Sequence, residues 1–122
     1  MEAACGGARS AESLTVGLLP GVRADDANPF VDVAIPTGLG EARNALVVRA
    51  GEAVIAIGGG FGTLAEVALA LKAGTPVVGL ETWELARGGE AVEAIQQAES
   101  AHEAVERALA AVRAGRQGQE PA

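Results

Sequence analysis

The sequence predicts an α/β domain in which a mostly parallel β-sheet is flanked by helices, and three observations predict it. Four short apolar runs, at 14–20, 31–37, 54–58 and 76–80, are near-continuous rather than alternating, as strands covered on both faces are. Stretches of helical period, at 41–50 and 63–73, separate the second from the third and the third from the fourth. Strand and helix alternating at these lengths implies right-handed crossovers between parallel strands.

The elements follow in order. Residues 2–10 read as the end of a helix with no strand before it. Doubly wound sheets usually place their first strand at the centre, so the expectation is of a domain without its first strand–helix–strand unit. The helix at 41–50 is rich in Ala, Val and Leu over much of its circumference, which favours burial against a second subunit. In 63–73, Leu64, Val67, Ala68 and Leu71 recur at helical spacing, Gly74 stops the helix and Pro76 opens the next strand. A further strand is expected at 92–97. Ser100 and Glu103 then form a capping box, opening a helix with Ala101, Ala104, Val105, Ala108, Leu109 and Val112 on one face. The domain is read as 1–114, with 115–122 a frayed polar tail.

Composition removes several functions. Nine basic against sixteen acidic residues give a net charge of −7, and aromatics make up only 2 %. Neither a phosphate-tracking stripe nor stacking platforms are present, which argues against a nucleic-acid partner. No apolar run approaches the ~18 residues of a membrane span, and the first residues have no secretion-signal pattern, so the expected location is the cytoplasm. Cys5 and His102, each the only one of its kind, cannot build a metal site together; no metal and no resident cofactor are expected. Cys5 reads as a small buried apolar residue and His102 as exposed.

Ligands of parallel sheets sit beyond the carboxyl ends of the strands. Every strand here leaves that edge through turn-forming residues: Pro20-Gly21, Thr37-Gly38-Leu39-Gly40, Gly58-Gly59-Gly60-Phe61-Gly62 and Glu81-Thr82-Trp83. Two of the glycine turns run into helix N-termini, where backbone amides and the helix dipole favour an anion. The candidate phosphate site is therefore Gly38, Gly40, Gly58, Gly59, Gly60, Gly62 and Thr63, although a single such loop is often only a tight turn. The pattern is neither a Walker loop nor G-x-G-x-x-G.

Three side chains have two readings each. Glu66 closes a second capping box, Thr63-Leu64-Ala65-Glu66, or it is catalytic. Arg43 opposes the dipole in the first turn of its helix, so it either meets a phosphate or carboxylate (Glu41 or Glu66) or stays solvated. Trp83 either stacks on a ring of the ligand or packs in the core or a subunit contact, and Phe61 shares that choice.

The run Gly59-Gly60-Phe61-Gly62-Thr63-Leu64-Ala65-Glu66 resembles the PGGxGTxxE signature of the Lonely Guy family and the wider SLOG superfamily. With Ile35-Pro36-Thr37-Gly38-Leu39-Gly40-Glu41-Ala42-Arg43-Asn44, it looks like a bacterial branch related to DNA-processing protein A and to the molybdenum cofactor carrier protein. The resemblance covers 1–114. It implies a Rossmann-like sheet, a nucleotide-phosphate site and a homo-oligomer, dimer or tetramer. It also implies that Arg43 and Glu66 support hydrolysis of the N-glycosidic bond of a nucleoside 5′-monophosphate. Two departures stand out: Arg43-Asn44 replaces an Arg-Lys pair, and Gly58 replaces a proline. The missing positive charge keeps open a second function, a non-catalytic carrier or sensor of a nucleotide or pterin phosphate. Relatives in this branch also carry a preceding strand–helix–strand unit, which this sequence is expected to lack.

Overall fold

A computed structural model describes residues 1–119 of the chain; 120–122 lie outside the described residues. The chain forms two compact units, Met1–Leu46 and Val47–Ala122.

The first unit holds helix α1 (Glu2–Ser10), strands β1 (Val16–Leu19) and β2 (Val33–Pro36), and the start of helix α2 (Arg43–Ala50). β1 and β2 pair in parallel, Val16 opposite Val33 and Leu18 opposite Ile35. Gly17 allows Val31 to pack closely, since a Cβ there would lie 3.1 Å from Val31 Cγ1. Below the sheet edge, the buried Thr15 ties the entries of the two strands together. Its amide donates to Asp32 Oδ2 at 2.9 Å, its hydroxyl to Phe30 O at 2.7 Å, and Asp32 N–H donates to Thr15 Oγ1 at 2.8 Å. These hydrogen bonds from Thr15, the backbone amide first, hold the Asp32 carboxyl below its ordinary pKa. A depressed folded-state pKa contributes stability that is present above the ordinary carboxylate pKa and lost as pH falls through the folded value. The stability advantage of the native protein over Asp32→Asn is therefore expected to shrink below about pH 4. Urea midpoints of both proteins across the acid range measure it; a constant difference would mean the Thr15 contacts do not favour the ionised form.

The second unit holds β3 (Val54–Ile57), α3 (Phe61–Ala73), β4 (Val77–Leu80), β5 (Leu85–Arg87), β6 (Glu90–Val92), β7 (Gln96–Ala98) and α4 (Ala101–Gln119). β3, β4 and β7 form a parallel sheet with β4 in the middle. β5 and β6 are a separate antiparallel hairpin. The core is Val48, Ala56, Val67, Ala70, Val77 and Ile95 on one side, and Val78, Ala98, Ala104 and Ala108 on the other. α3 ends as Gly74 predicts: at φ +76°, it lets Thr75 N–H reach Ala70 O at 2.9 Å and its own N–H reach Leu71 O.

The α/β class and the parallel pairing agree with the sequence reading, but several details differ. Burial comes near to complete only in β4, where Val77, Val78 and Gly79 are buried; it is the one strand of the described residues flanked on both edges and packed against both α3 and α4. Val16, Val33, Ile35, Ile55 and Ile57 are all exposed. The strand expected at 92–97 divides, because Gly88 and Gly89, both at positive φ, turn the chain into a two-residue hairpin ending at Val92, and β7 begins only at Gln96. α4 buries Ala104 and Ala108 while Val105 and Leu109 stay exposed, since small side chains fit closest to β4. It is helical as far as Gln119, through the first part of the expected tail. Its capping box is half formed: Ser100 Oγ accepts from Glu103 N–H at 3.1 Å, and the Glu103 carboxylate turns to Arg107 Nε at 2.8 Å. Cys5 is half-buried and His102 exposed, beside Glu106. Among the described residues, no helix is long and apolar enough to cross a membrane.

Candidate functional site

In the first unit, the exits of β1 and β2 are bound to each other. Gly38 N–H donates to Gly21 O at 2.8 Å, Gly40 N–H to Pro20 O at 2.9 Å, and Thr37 N–H to Leu19 O at 3.0 Å. Gly38 (φ +66°) and Gly40 (φ +58°) supply left-handed backbone, but their amides are already spent on this turn. After a short 3₁₀ turn at Gly40–Ala42, Arg43 opens α2 and donates from Nη1 to Leu18 O at 2.8 Å. A carbonyl at a strand end thus takes part of the charge that opposes the helix dipole, an arrangement that neither reading of Arg43 includes. Its Nε is buried without a hydrogen-bond partner. Asn44, the position of the departure from the Arg-Lys pair, is buried, 9 % exposed.

In the second unit, the glycine loop follows β3. Gly58 continues the sheet ladder, its N–H donating to Leu80 O at 3.1 Å, and then turns at φ +53°. Gly59 follows at φ +93°, so close to Thr63 that a Cβ would overlap its side chain. Gly60 caps α3 with extended backbone and no side-chain cap. The first intrahelical bond is Leu64 N–H to Gly60 O at 3.1 Å. Among the described residues, the N–H groups of Gly59, Gly60, Phe61, Gly62 and Thr63 have no backbone acceptor. Five adjacent donors at the positive end of a thirteen-residue helix can hold a phosphate or another oxyanion.

The loop after β4 grips the glycine loop. Thr82 Oγ1 donates to Gly58 O at 2.6 Å, and Trp83 Nε1 donates to Gly60 O at 3.1 Å. Trp83 also stacks on Phe61, ring centroids 5.7 Å apart, while Phe61 itself is 80 % exposed. In the sequence, Thr82 has no role beyond its membership of the Glu81-Thr82-Trp83 turn; its place at the carboxyl edge of β4 is the only signal. A cleft of about 460 Å³ lies between the loops, lined by Gly58, Gly59, Glu81, Thr82, Trp83 and Glu84. Two carboxylates make this cleft a poor place for an anion.

The structure thus brings Gly58, Gly59, Gly60, Gly62, Thr63 and Trp83 together, and it places Gly38, Gly40 and Arg43 in the first unit. Glu66 is half-buried in the second turn of α3. Its capping-box reading fails: α3 begins at Phe61, two residues before the expected start, so Thr63 lies inside the helix and Gly60 is the N-cap. Glycine is flexible enough to let the helix start at once after the turn, without a hydroxyl cap.

Comparison with known proteins follows this geometry. Among solved structures, the molybdenum cofactor binding protein of the phototrophic bacterium Rippkaea orientalis is similar with a TM-score of 0.77 and 37 % identity, over 90 % of this chain and 69 % of that one. The molybdenum cofactor carrier protein of Chlamydomonas reinhardtii is similar with a TM-score of 0.73 and 33 % identity, over 90 % and 69 % of the two chains. An uncharacterized protein of Archaeoglobus fulgidus is 44 % identical over 81 residues, 66 % of this chain and 53 % of that protein. The chain therefore spans about half the length of the curated relative it matches. The model of the SLOG cluster4 family matches residues 1–112. With its parallel, Rossmann-like sheets and its glycine loop opening α3, this chain belongs to the SLOG cluster4 family.

Proposed function

We propose that this chain binds a phosphate-bearing small molecule, a nucleotide or a pterin phosphate of the molybdenum cofactor type, and carries or senses it. The observation that carries the reading is the set of five N–H groups from Gly59 to Thr63 without backbone acceptors. They fit a terminal phosphate, and the similarity to molybdenum cofactor binding and carrier proteins supports a pterin as the remainder. The phosphate is the end that these amides would hold, and the metal of such a cofactor would be cargo. Calorimetry and thermal unfolding with a panel of nucleoside 5′-monophosphates and with purified molybdenum cofactor test it. Saturable binding is expected, with stability raised by about 2.7 kcal/mol at a hundred times Kd. No heat and no shift with any member would refute it.

A second reading, hydrolysis of the N-glycosidic bond, is favoured by one observation: the half-buried Glu66 stands one turn beyond the five amides, on the helix that they open. Water would add to the sugar carbon as the base leaves with a proton, giving ribose 5-phosphate, with Glu66 activating the water. Glu66→Gln is expected to lower release of free base at least a hundredfold while leaving nucleotide binding in place. Intact monophosphates after long incubation with the native protein leave the carrier reading alone. The same family resemblance supports a homo-oligomer, as do the exposed apolar side chains of β1, β2 and β3; light scattering gives the number of subunits.

A further inference from the structure

We infer that Thr82 and Trp83 are positioning residues that aim two amides of the glycine loop at the ligand phosphate. The inference rests on the binding reading above and adds to it the device that orients the donors. It follows from peptide geometry. In a trans peptide the C=O of one residue and the N–H of the next point in opposite directions, and the peptides of this loop are trans. Thr82 Oγ1 holds Gly58 C=O from one side at 2.6 Å, so Gly59 N–H points away from Thr82. Trp83 Nε1 holds Gly60 C=O at 3.1 Å, so Phe61 N–H points away from Trp83. Both donors are thereby turned from the loop that carries Glu81 and Glu84, whose carboxylates would repel a phosphate.

Thr82 holds the Gly58–Gly59 peptide plane, and Trp83 adds a second hold on the Gly60–Phe61 plane beside the helix bond from Leu64 N–H to Gly60 O. Gly58 and Gly59 stand at positive φ, where glycine has many alternative conformations, and a free loop would have to be ordered by the ligand at a cost in affinity. The stack on Phe61 holds the indole in place, and Gly60 O still accepts from Leu64 N–H with its second lone pair. Trp83 therefore acts on the ligand through the backbone, by its ring nitrogen.

The test uses the full chain, ribose 5-phosphate and adenosine 5′-monophosphate as probes, and four proteins: native, Thr82→Val, Thr82→Ser and Trp83→Phe. Kd is measured by calorimetry well below the unfolding temperature of every variant, and the Gly59 and Phe61 amides are followed by ¹⁵N NMR during titration. Thr82→Val and Trp83→Phe, which keep volume or ring and remove the donor, are expected to weaken both probes roughly three- to tenfold. Thr82→Ser, which restores the donor, is expected to stay within about twofold of native. The phosphate-induced shift of Gly59 N–H should shrink in Thr82→Val and that of Phe61 N–H in Trp83→Phe, a pairing that general destabilisation would not produce. Equal affinities in all four proteins overturn the positioning role and leave the binding reading intact. Failure of the native protein to bind either probe overturns both.

Discussion

Gly59→Ala is expected to lower the unfolding temperature by roughly 10 °C and to weaken nucleotide or phosphate binding more than tenfold. Two costs add. Holding a non-glycine residue at φ +93° costs about 1–3 kcal/mol, and pressing a methyl into the Thr63 side chain adds an overpacking cost of similar size. Relief can come only by moving Thr63 or by flattening the loop, and either shift displaces the first-turn amides of α3. Gly60→Ala is the internal control. That residue has an ordinary extended φ of −99° and nothing within 4 Å of where a Cβ would stand, so only the N-cap preference of glycine over alanine, about 1 kcal/mol or less, should be lost. Differential scanning calorimetry of the two variants decides it. Equal losses would mean the loop does not hold the conformation described.

Gly79→Ala is expected to cost about 1–3 kcal/mol, even though it stands in the middle of a strand where alanine normally has the better propensity. A Cβ at this position would lie 2.7 Å from Thr82 Cγ2 and 2.9 Å from Ile95 Cγ2, inside the packed sheet. The methyl pushes on the residue that fixes Gly58 C=O, so a stability loss should come with a loss of probe affinity. Thr82→Ser in the same background removes the closer of the two methyls and should restore part of both. Denaturant midpoints and Kd values of the single and double variants form the cycle that shows the coupling. Strict additivity of the two substitutions would count against it.

How far the sequence could be read follows from what kind of information each element carries. The β3–α3–β4 unit was legible because its signals are local: a run of Val and Ile, a helical repeat, and glycine with proline at the far end. The glycine loop was legible for the same reason, since positive φ leaves a compositional mark. Burial was less so. Val16, Val33 and Ile57 look like core in a sequence, but exposure depends on which neighbours reach them, and only β4 has neighbours on every side. The hairpin at Leu85–Val92 was missed because three-residue strands are too short to show alternation, although Gly88-Gly89 between them is a turn signal. The grip of Thr82 and Trp83 on the glycine loop depends on pairings twenty and more residues apart, and no local pattern records them.

The hairpin has a consequence for how this chain tolerates change. β4 and β7 are adjacent parallel strands, and the excursion between them closes on itself through Leu85 opposite Val92 and Arg87 opposite Glu90. Because its two legs are already held together, residues added at the Gly88-Gly89 tip do not lengthen the span between β4 and β7. Closure entropy grows only with the logarithm of loop length, about 0.6 kcal/mol per doubling. The tip is therefore the place where an insertion, a tag or a new recognition loop can be grafted while the registers of the β3-β4-β7 sheet, and the glycine loop they support, remain as they are.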